Sequence, residues 1–458
     1  MLIKNALAHY YEHVQEALHT LLGRPQDPGA PGGGTPGGGD FTPGTALPAL
    51  TDPVRHFLSV SDIAHAPMPS YRGKRLSLLD LTGNPATMTT KTFASLLIVA
   101  RAVRFIRDTG QRVSIITPSS ANKAIALRDA VLRAIDAGLV TPQELNVVVI
   151  VPAGSVPKLR SSLLATDPHL RARNPIAVYH GDHPGAVKTL ARAVVDDHSG
   201  ELSRSADTHL WYTLQIENYL AADTVRALSE AEFFAPAPGV PRLHAHAVSS
   251  AYGLLGHAFG RTVLPRALRQ DSLPPHYFLV QHLGAPDMVL DLYHGSCDPS
   301  FAPRYAYDPA TGLYRQDQDE RFPKVTFDPQ ENLDSTFYTR NPPTRERMTS
   351  LIHADGGGGI VVSLAECLER YGHVRALLGE AGVTLPADPR SLREWSLVMA
   401  VTGVLNAVDR RLVQEDDILV HGSGSYSVAD FAPVPDDALW PVADTSSLRD
   451  VVFKASAL

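Results

Sequence analysis

Cysteine is almost missing: Cys297 and Cys367 are the only two in 458 residues. Two thiols exclude a disulfide framework and a cysteine-based zinc site. Lysine is scarce too. Of 41 basic residues only eight are lysine: Lys4, Lys74, Lys91, Lys123, Lys158, Lys188, Lys324 and Lys454. Arginine stays protonated, whereas lysine can become a neutral nucleophile, so any amine chemistry must come from those eight. There is no basic surplus. The 48 acids against 41 bases give a net charge of −7, which argues against a dedicated nucleic-acid binder. Long apolar runs are absent as well. The stretches around 96–103 and 147–151 fall far short of the roughly 20 residues a membrane span needs. Residues 1–23 carry Glu12, His13 and Glu16 and have no signal-type apolar core, so a cytoplasmic, soluble protein is expected. What is present is a chain 44% hydrophobic and 19% charged, with material for a buried core and length for two or three domains.

Apolar positions Leu2, Ala6, Tyr10, Val14, Leu18 and Leu22 recur at near-helical spacing, predicting a helix over 1–23. Residues 27–50 hold eight Gly and five Pro, more than half of that segment, so 24–50 reads as a mobile linker. From residue 76 strands and helices alternate. Predicted strands lie at 76–81, 112–117, 147–151, 176–179 and 209–212, with helices over 92–107, 124–137 and 186–195 between them. A second alternation follows. A helix is predicted over 248–268, strands at 277–280, 360–363 and 418–420, and helices over 365–371, 374–381 and 392–408, with 297–350 a long excursion. The pattern predicts an α/β protein with two open, doubly wound parallel-sheet domains and a ligand cleft between them. The expected boundaries are a small domain over 85–204 and a large one over 51–84 and 205–458.

Lys91 is the most informative lysine. It opens an amphipathic helix just beyond a strand and turn, where the helix dipole and the apolar Met88 and Phe93 disfavour an ammonium. The bland reading is a solvated lysine in a first helical turn. Ser119-Ser120-Ala121-Asn122 follows a strand and opens a helix; its N–H groups suit an anion, though Ser and Asn are also ordinary caps. His244, His246 and His257 are read as ordinary histidines, because no acid stands at ligand spacing, and no metal is expected. The run Gly356–Gly359 reads as a flexible turn before a strand.

Taken in order, the pieces resemble a known family. Asn84-Pro85-Ala86-Thr87-Met88-Thr89-Thr90-Lys91 is similar to the "N-P-T-G-S-x-K" segment of fold-type II pyridoxal-phosphate enzymes. Ser119-Ser120-Ala121-Asn122-Lys123-Ala124 resembles their "S-S-G-N-T-G", and Val148–Val156 their "V-x-V-P-x-G-x-V" strand and turn. Ser363-Leu364-Ala365-Glu366, Glu394-Trp395-Ser396 and Ile418–Gly424 are similar to "V-S-D-E-E", "E-P-S/A" and "V-V-L-T-G-H-G". The ordered match covers about residues 75–430, with the threonine synthase branch nearest.

The resemblance implies pyridoxal 5'-phosphate as cofactor, held by Lys91 as a Schiff base, with the Lys91 amine carrying the Cα proton. It implies that Asn122 meets the cofactor's ring hydroxyl and that Ser119, Ser120 and Ala121 line the substrate-carboxylate site. It places His421, with Ser423 as substitute, beside the pyridine nitrogen. The phosphate cup is expected after the strand at 277–280, where Gly284 keeps one glycine and Asp287 would repel a phosphate. The reaction implied is β/γ-elimination or replacement on a substituted amino acid, threonine synthase-like and suited to biosynthesis of specialised metabolites. The expected partners are a small-molecule amino acid and a second copy in a homodimer, not nucleic acid or membrane. The competing reading is a catalytically inactive homologue that serves as a binding or scaffold protein. A dinucleotide-dependent oxidoreductase ranks third, since no G-x-G-x-x-G follows a predicted strand.

Overall fold

A computed structural model of the protein describes residues 1–23, 40–268, 273–334, 336 and 339–457. The described residues form two compact units. The larger contains Met1–Ile3, Asp62–Gly83 and Arg226–Asp430; the smaller contains Lys4–Ser61, Asn84–Val225 and Phe431–Leu458.

The sheet of the smaller unit runs Leu439–Val442, Ile176–Tyr179, Leu145–Pro152, Arg112–Pro118, Thr208–Tyr212, and every pairing in it is parallel. The central strand LNVVVIVP is buried throughout, as a parallel strand covered on both faces must be. One face packs Ile116, Val148, Ile150 and Leu210 against the helices Ala186–Ala206 and Thr445–Ala457. The helices Lys91–Thr109 and Asn122–Asp136 also belong to this unit.

Seven strands make the larger unit's sheet, in the order Leu2–Ile3, Ile63–Tyr71, Lys74–Asp80, Asp417–Gly422, Arg242–Ala247, His276–His282, Gly357–Val362. The first three pair antiparallel and the rest parallel. Side chains alternate across a strand, so RLHAHA splits cleanly. Leu243, Ala245 and Ala247 join Ile418, Val420, Phe278 and Val280 in an apolar core with the helices Leu364–Glu380 and Ser396–Asp409. His244 and His246 therefore project to the opposite face.

Several expectations need correction. The strand Arg242–Ala247 was not predicted, and the helix expected over 248–268 is shorter, Tyr252–Thr262. Pairing of Thr208–Tyr212 with Arg112–Pro118, and of Leu439–Val442 with Ile176–Tyr179, draws 205–225 and 431–458 into the smaller unit. The N-terminal segment is likewise part of the smaller unit from Lys4 onward, not a separate piece, and its main helix is Tyr11–Leu22. Of the linker expected over 24–50, residues 24–39 lie outside the described residues. Residues 40–50 are fixed: Arg101 donates to the Gly44 carbonyl (2.6 Å) and Thr42 Oγ1 (2.9 Å), and the Tyr11 hydroxyl donates to the Pro48 carbonyl (2.6 Å). A buried arginine thus supplies the enthalpy that Gly/Pro composition lacks. Gly357–Gly359 are not a turn but the start of a strand. A Cβ on Gly357, whose φ is +118°, would lie 2.0 Å from the Tyr277 carbonyl oxygen of the neighbouring strand.

Candidate active site

In the smaller unit the loop before Lys91 is built around Asn84. Its Oδ1 accepts from the Ala86 amide (3.0 Å), and its Nδ2 donates to Asp129 (2.8 Å) and Thr92 Oγ1 (3.3 Å). Thr87 and Thr92 hydroxyls meet at 2.6 Å, and Met88 is turned into the left-handed region at φ +52°. An Asx turn therefore fixes where the helix starts, and Lys91 is its first residue. The Lys91 Nζ lies 5.4 Å from the centre of the Tyr219 ring.

A second lysine shares that ring. Lys123 Nζ is 5.6 Å from the same centre and donates to the Thr213 carbonyl at 2.6 Å. Burial, and then the charge of Lys91, push the Lys123 amine well below its ordinary proton affinity.

The helix that carries Lys123 begins at Asn122. Ser119 Oγ accepts from the amides of Ala121 (3.1 Å) and Ala124 (3.0 Å), so Ser119 acts as the helix cap. Ala121 sits at φ +111°, where the resembled motif has glycine. Such backbone strain collects at functional turns.

In the larger unit the polar face of the sheet holds a buried chain of polar side chains. Arg226 Nη1 lies 3.0 Å from His421 Nδ1; His421 Nε2 lies 3.1 Å from His244 Nδ1; His244 Nε2 faces Glu230 Oε1 at 3.6 Å. Glu230 Oε2 lies 2.7 Å from His257 Nε2, whose Nδ1 meets the Tyr277 hydroxyl at 2.9 Å. Arg242 closes the chain, 2.9 Å from Glu230 and 2.9 Å from Asp417.

Donor rules then set the protons. Arginine only donates, so His421 Nδ1 accepts and its Nε2 carries the hydrogen, which in turn leaves His244 with an N–H directed at Glu230. Burial keeps His421 and His244 neutral, their proton affinities held well below the usual histidine value. Burial alone would raise Glu230, but His244, His257 and Arg242 outweigh it and hold the carboxyl below its ordinary range.

Two expectations change here. His244 and His257 do have an acidic partner, Glu230, which comes from a different helix, and ligand atoms of the three lie within 4.8 Å of one another; His246 is not among them. With His244 presenting an N–H to it, Glu230 stands as a buried carboxylate among donors. His421, fully buried with both ring nitrogens engaged, has none to offer a cofactor ring.

Ser423, two residues on, does: its Oγ is buried with no hydrogen-bond partner. Gly284 fails as a phosphate cup. Its amide donates to His282 Nδ1 (3.1 Å), its carbonyl accepts from Arg340 (3.2 Å), and a Cβ there would lie 2.8 Å from the His282 ring and 3.0 Å from the Glu331 carbonyl. Asp287 is tied to Arg340 (2.7 Å) and to the Asn341 amide (2.8 Å).

Thus Lys91, Asn122 and Ser119–Ala121 fall in the smaller unit, while Gly284, His421 and Ser423 fall in the larger. The sequence reading missed Tyr219, Arg226, Glu230 and the role of Lys123. Only Lys123 carried a local signal, as one of eight lysines standing where the motif has threonine.

The chain matches the family of unknown function DUF6002 over residues 2–456. It belongs to that family. No curated protein matches this DUF6002 member. Among solved structures it is similar to PLP-bound threonine synthase from Brucella melitensis, at 12% identity and TM-score 0.51, covering 86% of this chain and 81% of that one. It is also similar to threonine synthase from yeast, at 10% identity and TM-score 0.51, with the same coverage. At such identities the likeness establishes the fold, and this DUF6002 chain has that of the fold-type II pyridoxal-phosphate enzymes.

Proposed function

We propose that this protein is a pyridoxal-phosphate-dependent enzyme that eliminates or replaces a β- or γ-substituent of an amino acid, with Lys91 as the lysine that holds the cofactor. The observation that carries the reading is the Lys91 amine, fixed by the Asn84 turn at the start of its helix and set against the Tyr219 ring.

The residues fit the group in part. The orphaned Oγ of Ser423 suits a ring nitrogen, taking the place first assigned to His421. Gly284 does not fit a phosphate. Asn122 would meet the ring hydroxyl, and the Ser119–Ala121 turn would receive the substrate carboxylate.

Bound pyridoxal phosphate supplies an electron sink that acidifies the Cα of an amino acid joined to it. Lys91 contributes the amine that anchors the group and moves the Cα proton. The Arg226–His421–His244–Glu230 chain keeps its part of the larger unit neutral and dry at the end of the Asp417–Gly422 strand.

The closed Gly284 loop favours a second reading, a catalytically inactive homologue that binds or scaffolds. Addition of pyridoxal 5'-phosphate to the purified protein separates the two. The enzymatic reading expects a yellow protein with a visible band that borohydride bleaches; a protein that stays colourless with cofactor in excess contradicts it.

A further inference from the structure

We propose that a cavity in the larger unit, walled by the helix Asp287–His294 and the segments 295–298 and 340–345, is a binding site for a free α-amino acid. Its walls are residues that the cofactor reading does not use. The cavity measures about 510 Å³, within the range of about 300–1,000 Å³ that small-molecule sites occupy.

The walls carry both signs of charge. Asp287 and Asp291 lie four residues apart on one face of their helix. Their side chains are buried, and an arginine Nε meets each: Arg340 on Asp287 at 2.7 Å, Arg345 on Asp291 at 3.2 Å. Buried carboxylates need such partners, and the two pairs cancel. Two charged groups at the rim keep binding capacity. Arg340 is half exposed and gives Nη1 to the Gly284 carbonyl (3.2 Å), while its Nη2 donates to no described residue. Asp298 is exposed; its Oδ1 accepts from the Ser300 amide (2.8 Å), and its charge has no cationic partner among the described residues. A sulfur contact sets these two groups at one mouth. Cys297 Sγ lies 3.7 Å from Asn341 Oδ1, and Asp298 and Arg340 are their chain neighbours.

A simple anion in this cavity meets three carboxylates, and a metal ion meets two guanidiniums. A ligand that brings a carboxylate to Arg340 and an ammonium to Asp298 avoids both penalties. An α-amino acid carries those two groups on one carbon, and the remaining volume takes its side chain.

Cys297 reports on the site. It lies in the cavity wall and is partly exposed, whereas Cys367 is fully buried, so a thiol reagent labels the native protein at Cys297 first. The test measures that labelling rate and the melting temperature with each protein α-amino acid in turn. A bound amino acid at ten times its dissociation constant should slow labelling about tenfold and raise the melting temperature. Its deaminated acid and its decarboxylated amine, each with one of the two charges, should do neither. Asp298→Asn keeps an acceptor for the Ser300 amide and removes the charge; it should abolish the protection, as should Arg340→Met, whereas Lys91→Met should keep it. The inference is overturned if no amino acid moves either readout, or if the amine or acid alone protects equally. It is overturned too by protection that survives Asp298→Asn or disappears in Lys91→Met, and the reading of Lys91 stands in each case.

Discussion

At the scale of single residues, the larger unit spends its buried polar groups on one carboxylate. Glu230 receives from Arg242 and His257, and His244 points at it from a chain that starts at Arg226. The arrangement has a pH signature. His244 and His421 are held neutral in the fold, while in the unfolded chain they titrate at about 6.5. Unfolding therefore takes up protons below that value, and stability is complete above it and falls as the pH drops. Between pH 6.5 and 5.5 the two histidines together should remove about 2 kcal/mol, read from urea denaturation at each pH. A stability flat over that range would mean that these rings are charged or reached by water in the native protein.

Secondary-structure elements show where sequence pattern succeeds and where it stops. Strands made of Val and Ile, such as Leu145–Pro152, were legible because burial on both faces leaves a continuous apolar run. Arg242–Ala247 was not, because its outward positions hold histidine and half of its apolar content is alanine. The partner that makes His244 intelligible, Glu230, lies 14 residues earlier on another element. No local spacing exposes it.

The start of the helix Asn122–Asp136 was legible from Ser119 and Asn122, but not its strain. Ala121 occupies φ +111°, a conformation that suits glycine. Ala121→Gly should relieve it and stabilise the smaller unit by about 1 kcal/mol in thermal or urea unfolding. A loss of stability would mean that the Ala121 methyl packs well enough to outweigh the strain.

Over the whole molecule, the order of the motifs revealed a fold that 12% identity would hide, because turns and helix starts keep their places when the surface does not. The unit boundaries were harder to see. They depend on pairings such as Leu439–Val442 with Ile176–Tyr179, which join residues more than 250 positions apart. The positions that the resemblance assigned to the cofactor diverge most: His421 is locked into a buried chain and the Gly284 loop is closed, while Lys91 keeps its place at a helix start.

The central claim is that the amine at position 91 reacts. Its most direct test is the mass of borohydride-reduced wild-type protein, with the modified peptide sequenced after digestion. The account predicts one pyridoxyl group on the peptide that carries Lys91; a reduced protein whose Lys91 is recovered unmodified, with cofactor in excess, would contradict it.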